Sequence, residues 1–313
     1  MKRIPLLILS TLVVGLGSLL ASAQNSNQLE ENKALVKRLQ AAVSAGNLAE
    51  FDQLVSPDII DHNPSPDQKP GLEGFKESFK PYFVTLPDIK VGIDADFISE
   101  GDKVSVRHYF SGTQNGAFGD IPATGRKVSS MAIDTWRIKN GKLVEVWHIE
   151  DLLGLVVQMT APQALNIPAG TTKLSSNAGD SRINKALARR FYRAFNTRKF
   201  DDYDNFLAAE VIDHNPVPNQ KAGATGLKEA LQGFLAVFPD MKIKVEEIIS
   251  QNDLVSIRGT ATGTHQGNFL GVPATNKSVT FGFHDLYRVK DDKILEAWHV
   301  EELLQTLGFL SAK

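Results

Sequence analysis

The chain of 313 residues contains no cysteine. That removes a disulfide framework, thiol catalysis and a cysteine-borne lipid anchor, and leaves core packing to hold the fold together. Clustered positive charge is also missing. The 34 Lys and Arg residues and 36 Asp and Glu residues are interspersed, so no basic stripe offers an electrostatic footprint for nucleic acid. The seven His stand singly, without an H-x-x-x-H pair. A zinc site needs three or four converging ligands, so no metal site is expected. No G-x-S-x-G occurs, which leaves a nucleophilic serine unsupported. Long apolar runs are absent except at the start. There Met1-Lys2-Arg3 is followed by the apolar stretch Ile4 to Leu20 and by Ala21-Ser22-Ala23, the pattern of a cleaved leader. Pro5, Ser10, Thr11, Gly15, Gly17 and Ser18 dilute that stretch below what a retained membrane span would show. Residues 1–23 are therefore expected to be a signal peptide, and the mature protein to be exported without stable membrane insertion.

What is present is a repeat. Asp61-His62-Asn63-Pro64 returns as Asp213-His214-Asn215-Pro216, 152 residues on. Leu86-Pro87-Asp88 meets Phe238-Pro239-Asp240 at the same offset. Gly112–Thr124 (GTQNGAFGDIPAT) then meets Gly263–Thr275 (GTHQGNFLGVPAT), and Val146–Leu153 (VWHIEDLL) meets Ala297–Leu304 (AWHVEELL), both at 151. Such register is a tandem duplication. At 42% hydrophobic residues the length suits two domains with a core each. The expected division is domain 1 at 28–158, a Pro-, Gly-, Ser- and Thr-rich linker at 159–180, and domain 2 at 181–311.

Within each copy helices come first. Leu29, Leu35, Val36, Leu39 and Val43 share one helical face that Gly46 can end. In copy two Ser181 is a candidate N-cap, and Ile183, Leu187, Phe191, Ala194 and Phe195 mark the face. A short helix is expected before each DHNP and another after it, near Gly74–Phe83 and Gly226–Phe238. Four alternating, β-branched stretches follow: Ile89–Ile98, Lys103–Gly112, Lys127–Ile138 and Lys142–Ile149, with counterparts in copy two. Asn140-Gly141 is a hairpin turn signal, replaced by Asp291-Asp292 in copy two. Helices followed by an antiparallel sheet give an α+β fold, a curved sheet closed by helices into a cone.

These residues carry a resemblance. A DHNP motif, a helix ending in F-P-D, the G-T-H-x-G-x-F-x-G-x-P-A-T loop, and then AIDTWR or FHDLYR and WH strands are together similar to the SnoaL-like polyketide cyclases. That family has the nuclear transport factor 2-like cone fold. The resemblance implies ring closure without cofactor or metal: a carboxylate takes a proton from carbon beside a carbonyl, and the enolate attacks a second carbonyl. It also implies a hydrophobic small-molecule ligand, and places the acid-base carboxylate at Asp134 and Asp285. Carbonyl-orienting groups would be His62 and Asn63, His214 and Asn215, with Trp147-His148 and Trp298-His299 beside them. Copy two keeps His265 in its GTHQG loop where copy one has Gln114. The two domains are expected to pack as an intramolecular pseudo-dimer.

Each candidate has a second reading. Arg107 and Arg258 would pair with Asp134 and Asp285 if the strands bring them together, and a paired Asp is a weaker base; alternatively either Arg would hold an anionic substrate. The DHNP residues would be helix stops, and the Trp residues packing anchors. Between a cyclase or carbon-acid isomerase and a secreted binding protein that captures a hydrophobic molecule unchanged, the sequence leaves both open, because one cone hosts many functions.

Overall fold

The computed structural model describes residues 8–161 and 179–312, with side chains from Ser26 onward. Most of the expected linker and the first seven residues of the expected leader lie outside the described residues. Each half presents the same elements. In the first these are α1 (Ile8–Ser44), α2 (Phe51–Leu54), β1 (Val55–Asp61), α3 (Gly71–Thr85), β2 (Lys90–Glu100), β3 (Lys103–Thr113), β4 (Lys127–Lys139), β5 (Lys142–Glu150) and α4 (Leu152–Thr160). In the second they are α5 (Ser181–Thr197), a 3-10 turn at Phe200–Asn205, β6 (Leu207–Asp213), α6 (Gly223–Val237), β7 (Lys242–Gln251), β8 (Leu254–Thr264), β9 (Ser278–Lys290), β10 (Lys293–Glu301) and α7 (Leu303–Ser311).

The sheets run β1-β5-β4-β3-β2 and β6-β10-β9-β8-β7. All pairings are antiparallel except β1 with β5 and β6 with β10. Register shifts along β2 between Val91 and Asp96, with Gly92 at φ 82° and Asp94 at φ 47°, bend the edge strand and curve the sheet. Asn140 and Gly141 both have positive φ, as do Asp291 and Asp292, which the tight hairpins require. The C-terminus of α1 is a Schellman turn: Asn47 N–H bonds Ala42 O, and Gly46 N–H, in the left-handed region, bonds Val43 O.

Three local expectations change. The residues leading into DHNP form strands β1 and β6 after a short helical turn, so the motif ends a strand and is no helix stop. Pro57 hid β1; it is tolerated because the strand lies at the sheet edge. Helices α4 and α7, not foreseen, close each domain, α4 being capped by Asp151, which accepts from Gly154 N–H at 2.7 Å. Asp180, rather than Ser181, caps α5 by accepting from Arg182 N–H at 2.8 Å.

In each domain one sheet face packs on the helices. Val36, Leu39, Phe51, Phe75, Val106, Trp136 and Val146 form one such core. The opposite faces meet each other: Tyr109, Met131, Ile133 and Ile149 cluster with Ile249, Leu286, Trp298 and Val300. The contact matches like with like. Ser105 Oγ lies 2.8 Å from Ser256 Oγ, and these are corresponding residues of the repeat. Ser99 N–H donates to Gln251 Oε1 at 3.0 Å, while Ser250 N–H donates to Glu100 Oε2 at 2.9 Å. The Arg107 guanidinium lies 5.1 Å from the Trp298 ring, and that of Arg258 lies 4.1 Å from Trp147.

Trp298 is 1% exposed, so Trp298→Ala should cost about 3–5 kcal/mol through the cavity it leaves. Urea unfolding of the full chain checks this; a cost under about 1 kcal/mol would remove the contact between the sheets from the stabilising set.

Candidate active site

The two-residue alternation of a strand decides which candidates meet. On β4, Ala132, Asp134 and Trp136 face the helices, and on β5 Val146, His148 and Glu150 do the same, lining a cavity of about 120 Å³. That is close to the ~150 Å³ that takes up benzene in a protein core. Leu39, Phe75, Phe79 and Phe110 supply apolar wall. The equivalent cavity of domain 2, about 100 Å³, is lined by Asp285, His299, Glu301, Tyr192 and Tyr287 among apolar residues.

Of the residues expected from sequence, only Asp134 and His148, and Asp285 and His299, line these cavities. Trp147 and Trp298, each next to a cavity histidine, necessarily face the other way. His62 stacks on Trp147 with centroids 4.2 Å apart and bonds Glu145 at 3.0 Å; His214 stacks on Trp298 at 4.2 Å and bonds Glu296 at 2.8 Å. Asn63 and Asn215 accept from the backbone N–H of His148 and His299 at 3.1 and 3.2 Å, pinning the loop to the strand. Asn63 Nδ2 also reaches Glu302 of the other domain at 2.9 Å. His62, Asn63, Trp147 and Arg258 border a separate cleft between the domains.

The expected Arg107–Asp134 and Arg258–Asp285 pairs do not form. Val106, not Arg107, stands opposite Asp134, and Ile257 stands opposite Asp285, so the arginines leave from the other face. Arg107 instead donates to Asp96 at 2.9 Å, and Arg258 to Glu247 and Glu246 at 3.0 and 3.1 Å. His265 lies outside the cavity of domain 2. Its Nδ1 contacts Thr275 Oγ1 at 3.0 Å, holding the PAT loop as Gln114 Oε1 does by accepting from Thr124 Oγ1 at 2.5 Å.

Several functional groups escaped the sequence reading. His148 sits between Glu150, 2.8 Å from Nδ1, and Asp61, 3.1 Å from Nε2. Burial opposes the charged ring, but Glu150 and Asp61 outweigh it and hold His148 well above the ordinary histidine value. Asp61 also accepts from Gln68 at 2.8 Å. His299, Glu301, Asp213 and Gln220 repeat the arrangement. Glu150 and Glu301 were legible, since a residue two along a strand shares its face. The Asp of DHNP belongs to the repeated motif, yet the resemblance assigns carbonyl-orienting roles only to the His and Asn after it.

Around the central carboxylates the domains differ. Asp134 Oδ2 lies 3.1 Å from His108 Nε2. Burial raises Asp134, yet the charge and hydrogen bond of His108, with His148 and His284 farther off, outweigh it and keep the carboxyl below its usual value. Asp285 accepts from the hydroxyls of Tyr192 and of Tyr287, the latter at 2.5 Å. Burial dominates there and pushes Asp285 up to about 6. The position of His108 is Gly259 in domain 2, and its cross-strand partner Ala132 is Phe283. A Cβ on Gly259 would lie 2.2 Å from the Lys244 carbonyl oxygen and 2.9 Å from the Phe283 ring. One strand pair thus exchanged a large and a small residue together. His108 follows the repeated GDKVSVR stretch and lies outside every motif that carries the resemblance, so nothing in the sequence marks it.

Two α+β cones, each enclosing an apolar chamber with a buried carboxylate and a carboxylate-clamped histidine, define a tandem protein of the nuclear transport factor 2-like class. The sequence pattern of the SnoaL-like polyketide cyclases matches residues 33–159 and 186–308, and the chain belongs to that family. A similar characterised protein is the aklanonic acid methyl ester cyclase DnrD of Streptomyces peucetius, 30% identical over 115 residues, or 34% of this chain and 77% of that one. Among solved structures, TsrD from Streptomyces laurentii is 32% identical, covering 42% of this chain and 96% of its own, with a TM-score of 0.39. IdmH from Streptomyces antibioticus is 28% identical, covering 41% and 99%, with a TM-score of 0.38.

Two outcomes are expected. Ala132→Phe alone should overpack against His108 and cost about 1–3 kcal/mol. Adding His108→Gly should recover part of that, a coupling of about 1 kcal/mol or more in a double-mutant cycle by urea unfolding; strict additivity would show that the pair does not share its space. For pH, Asp285 binds its proton more tightly folded than unfolded. Its contribution is therefore complete below its ordinary value of 3.8 and lost as pH rises through about 6, a loss of roughly 3 kcal/mol. Asp285→Asn should flatten the stability profile between those two pH values relative to wild type, and parallel profiles would contradict the shift.

Proposed function

We propose that the protein is an exported member of its family that closes rings or shifts double bonds in small carbonyl compounds without a cofactor, with Asp134 at the centre of proton transfer. The observation that carries this reading is the Asp134–His108 contact inside an apolar chamber sized for about one ring. Proton abstraction beside a carbonyl needs an acid-base group sheltered from water and hydrogen-bond donors where negative charge develops. Membership of a cyclase family supports the reaction class, and the 1–23 leader pattern supports export. Among the described residues no helix is long and apolar enough to cross a membrane. The reciprocal contacts between the sheets support an intramolecular pseudo-dimer as the working unit.

A second reading applies to cavity 2 on its own evidence. Asp285 already accepts two phenolic hydroxyls, and the surrounding wall is apolar, which suits capture of a hydrophobic molecule without transformation. The domains would then divide chemistry from binding.

Native against denaturing mass spectrometry of the protein from its own host identifies retained molecules, and a screen of β-keto esters locates turnover. On whichever ester is consumed, Asp134→Asn should lower kcat by about 100-fold or more with the fold intact by circular dichroism. Undiminished turnover in that variant would sink the assignment.

A further inference from the structure

Three buried polar atoms in domain 1 have no hydrogen-bond partner and belong to residues that line the same cavity: Gln40 Nε2, His108 Nδ1 and Trp136 Nε1. Their residues are 8%, 4% and 5% exposed. An unpaired buried polar group costs about 1–3 kcal/mol, so three on residues that line one chamber require an explanation. The tautomer of His108 follows from its neighbour. Nε2 faces the Asp134 carboxylate, which only accepts, so in the neutral ring Nε2 carries the proton and Nδ1 presents a lone pair. Gln40 and Trp136 present N–H groups. A lone pair and two donors in an apolar chamber are complementary to a carbonyl compound with an acidic neighbouring C–H.

We propose that in cavity 1 the His108 imidazole takes the proton from carbon beside a substrate carbonyl, while the Gln40 amide and Trp136 indole N–H hold that carbonyl's oxygen. This rests on the reading of cavity 1 given above and names its parts. The C–H electron pair becomes the enolate C=C bond, and the charge on oxygen falls to the two donors. The proton moves to Nδ1, and the imidazolium is stabilised through Nε2–H by Asp134, a positioning residue. In ring closure the enolate carbon attacks the second carbonyl carbon, and the alkoxide so formed takes the proton back from Nδ1. In double-bond migration the proton returns at a different carbon. No co-reactant is needed in either case.

Domain 2 supplies the internal contrast. Asp285, His299, Asp213, Glu301 and Gln220 all match their counterparts in domain 1. The three positions just named do not: Gln40 becomes Tyr192, Trp136 becomes Tyr287 and His108 becomes Gly259. Both tyrosine hydroxyls donate to Asp285, and a glycine offers no base. The machinery changed as a set, while the clamp on the histidine stayed.

Cyclohexanone labelled with carbon-13 at the carbonyl, added to the full mature chain in deuterium oxide, tests both roles. The carbonyl resonance should move downfield on binding, and deuterium should enter the α-carbons. Gln40→Leu and Trp136→Phe should each reduce the downfield shift and lower kcat/KM for uptake by about 10-fold or more. His108→Gln, which can still bond Asp134, should lower kcat about 100-fold or more while KM stays within a few-fold. Asp134→Asn should lower kcat with the downfield shift kept. Absence of a shift with wild type overturns the proposal. A shift without uptake keeps the two donors but overturns the base and, with it, the catalytic reading of the domain. Uptake that persists in His108→Gln within twofold overturns the base alone and leaves that reading standing.

Discussion

Neighbouring side chains of a β-strand leave on opposite sides of the sheet, and in this protein both sides are occupied. His148 enters a cavity while Trp147 enters the contact with the other domain; Asp134 and Ile133, and His108 and Arg107, divide in the same way. Cavity and contact are built from adjacent letters of the same strands, so neither can shift register without dismantling the other. The opposed faces also explain how a chamber containing His148, Glu150, Asp134 and His108 is affordable. The apolar cluster around Trp298, Ile133 and Leu286 braces the reverse of the sheet, and inside the chamber Asp134 and Glu150 each contact a histidine.

The two halves kept one polar unit and altered another. Asp61, Gln68, His148 and Glu150 recur as Asp213, Gln220, His299 and Glu301 with hydrogen bonds within a few tenths of an ångström of one another. That unit fixes the DHNP loop to the sheet in both domains and orients a charged imidazole at the cavity wall. What surrounds the central carboxylate is not kept. Burial raises both aspartates; at Asp134 the charge and hydrogen bond of His108 outweigh it and leave the carboxyl below its ordinary value, whereas at Asp285 the two tyrosine hydroxyls do not, and it stays above.

Much of the frame was legible. The duplication, the α+β order, the Asn140-Gly141 hairpin and the Gly46 helix stop each rest on local chemistry that sequence displays. Strand β1 was not, because Pro57 and two acidic residues mask an edge strand whose partner lies some 90 residues away. Site membership failed where two adjacent polar residues were both assigned to a pocket. Trp147 and His148 leave opposite faces of β5, and the alternation that separates them was available. Arg107 and Arg258 failed for the same reason: register places them one residue off the carboxylates. His108 failed differently. It lies outside every motif that carries the resemblance, and its counterpart Gly259 gives the repeat no polar match.

Ser105 and Ser256 touch across the contact between the sheets, each occupying the other's place in the duplicated plan. In a pair of identical subunits a substitution at one such position is imposed on both, and every change near the axis is tested twice. Joining the copies in one chain lifts that restriction. His284 uses the freedom directly: its imidazole bonds the carbonyl of Ile133, its own counterpart, at 2.6 Å, a contact between unlike residues across the meeting faces. The covalent connection also makes their association unimolecular, so it survives any dilution that would separate two free subunits.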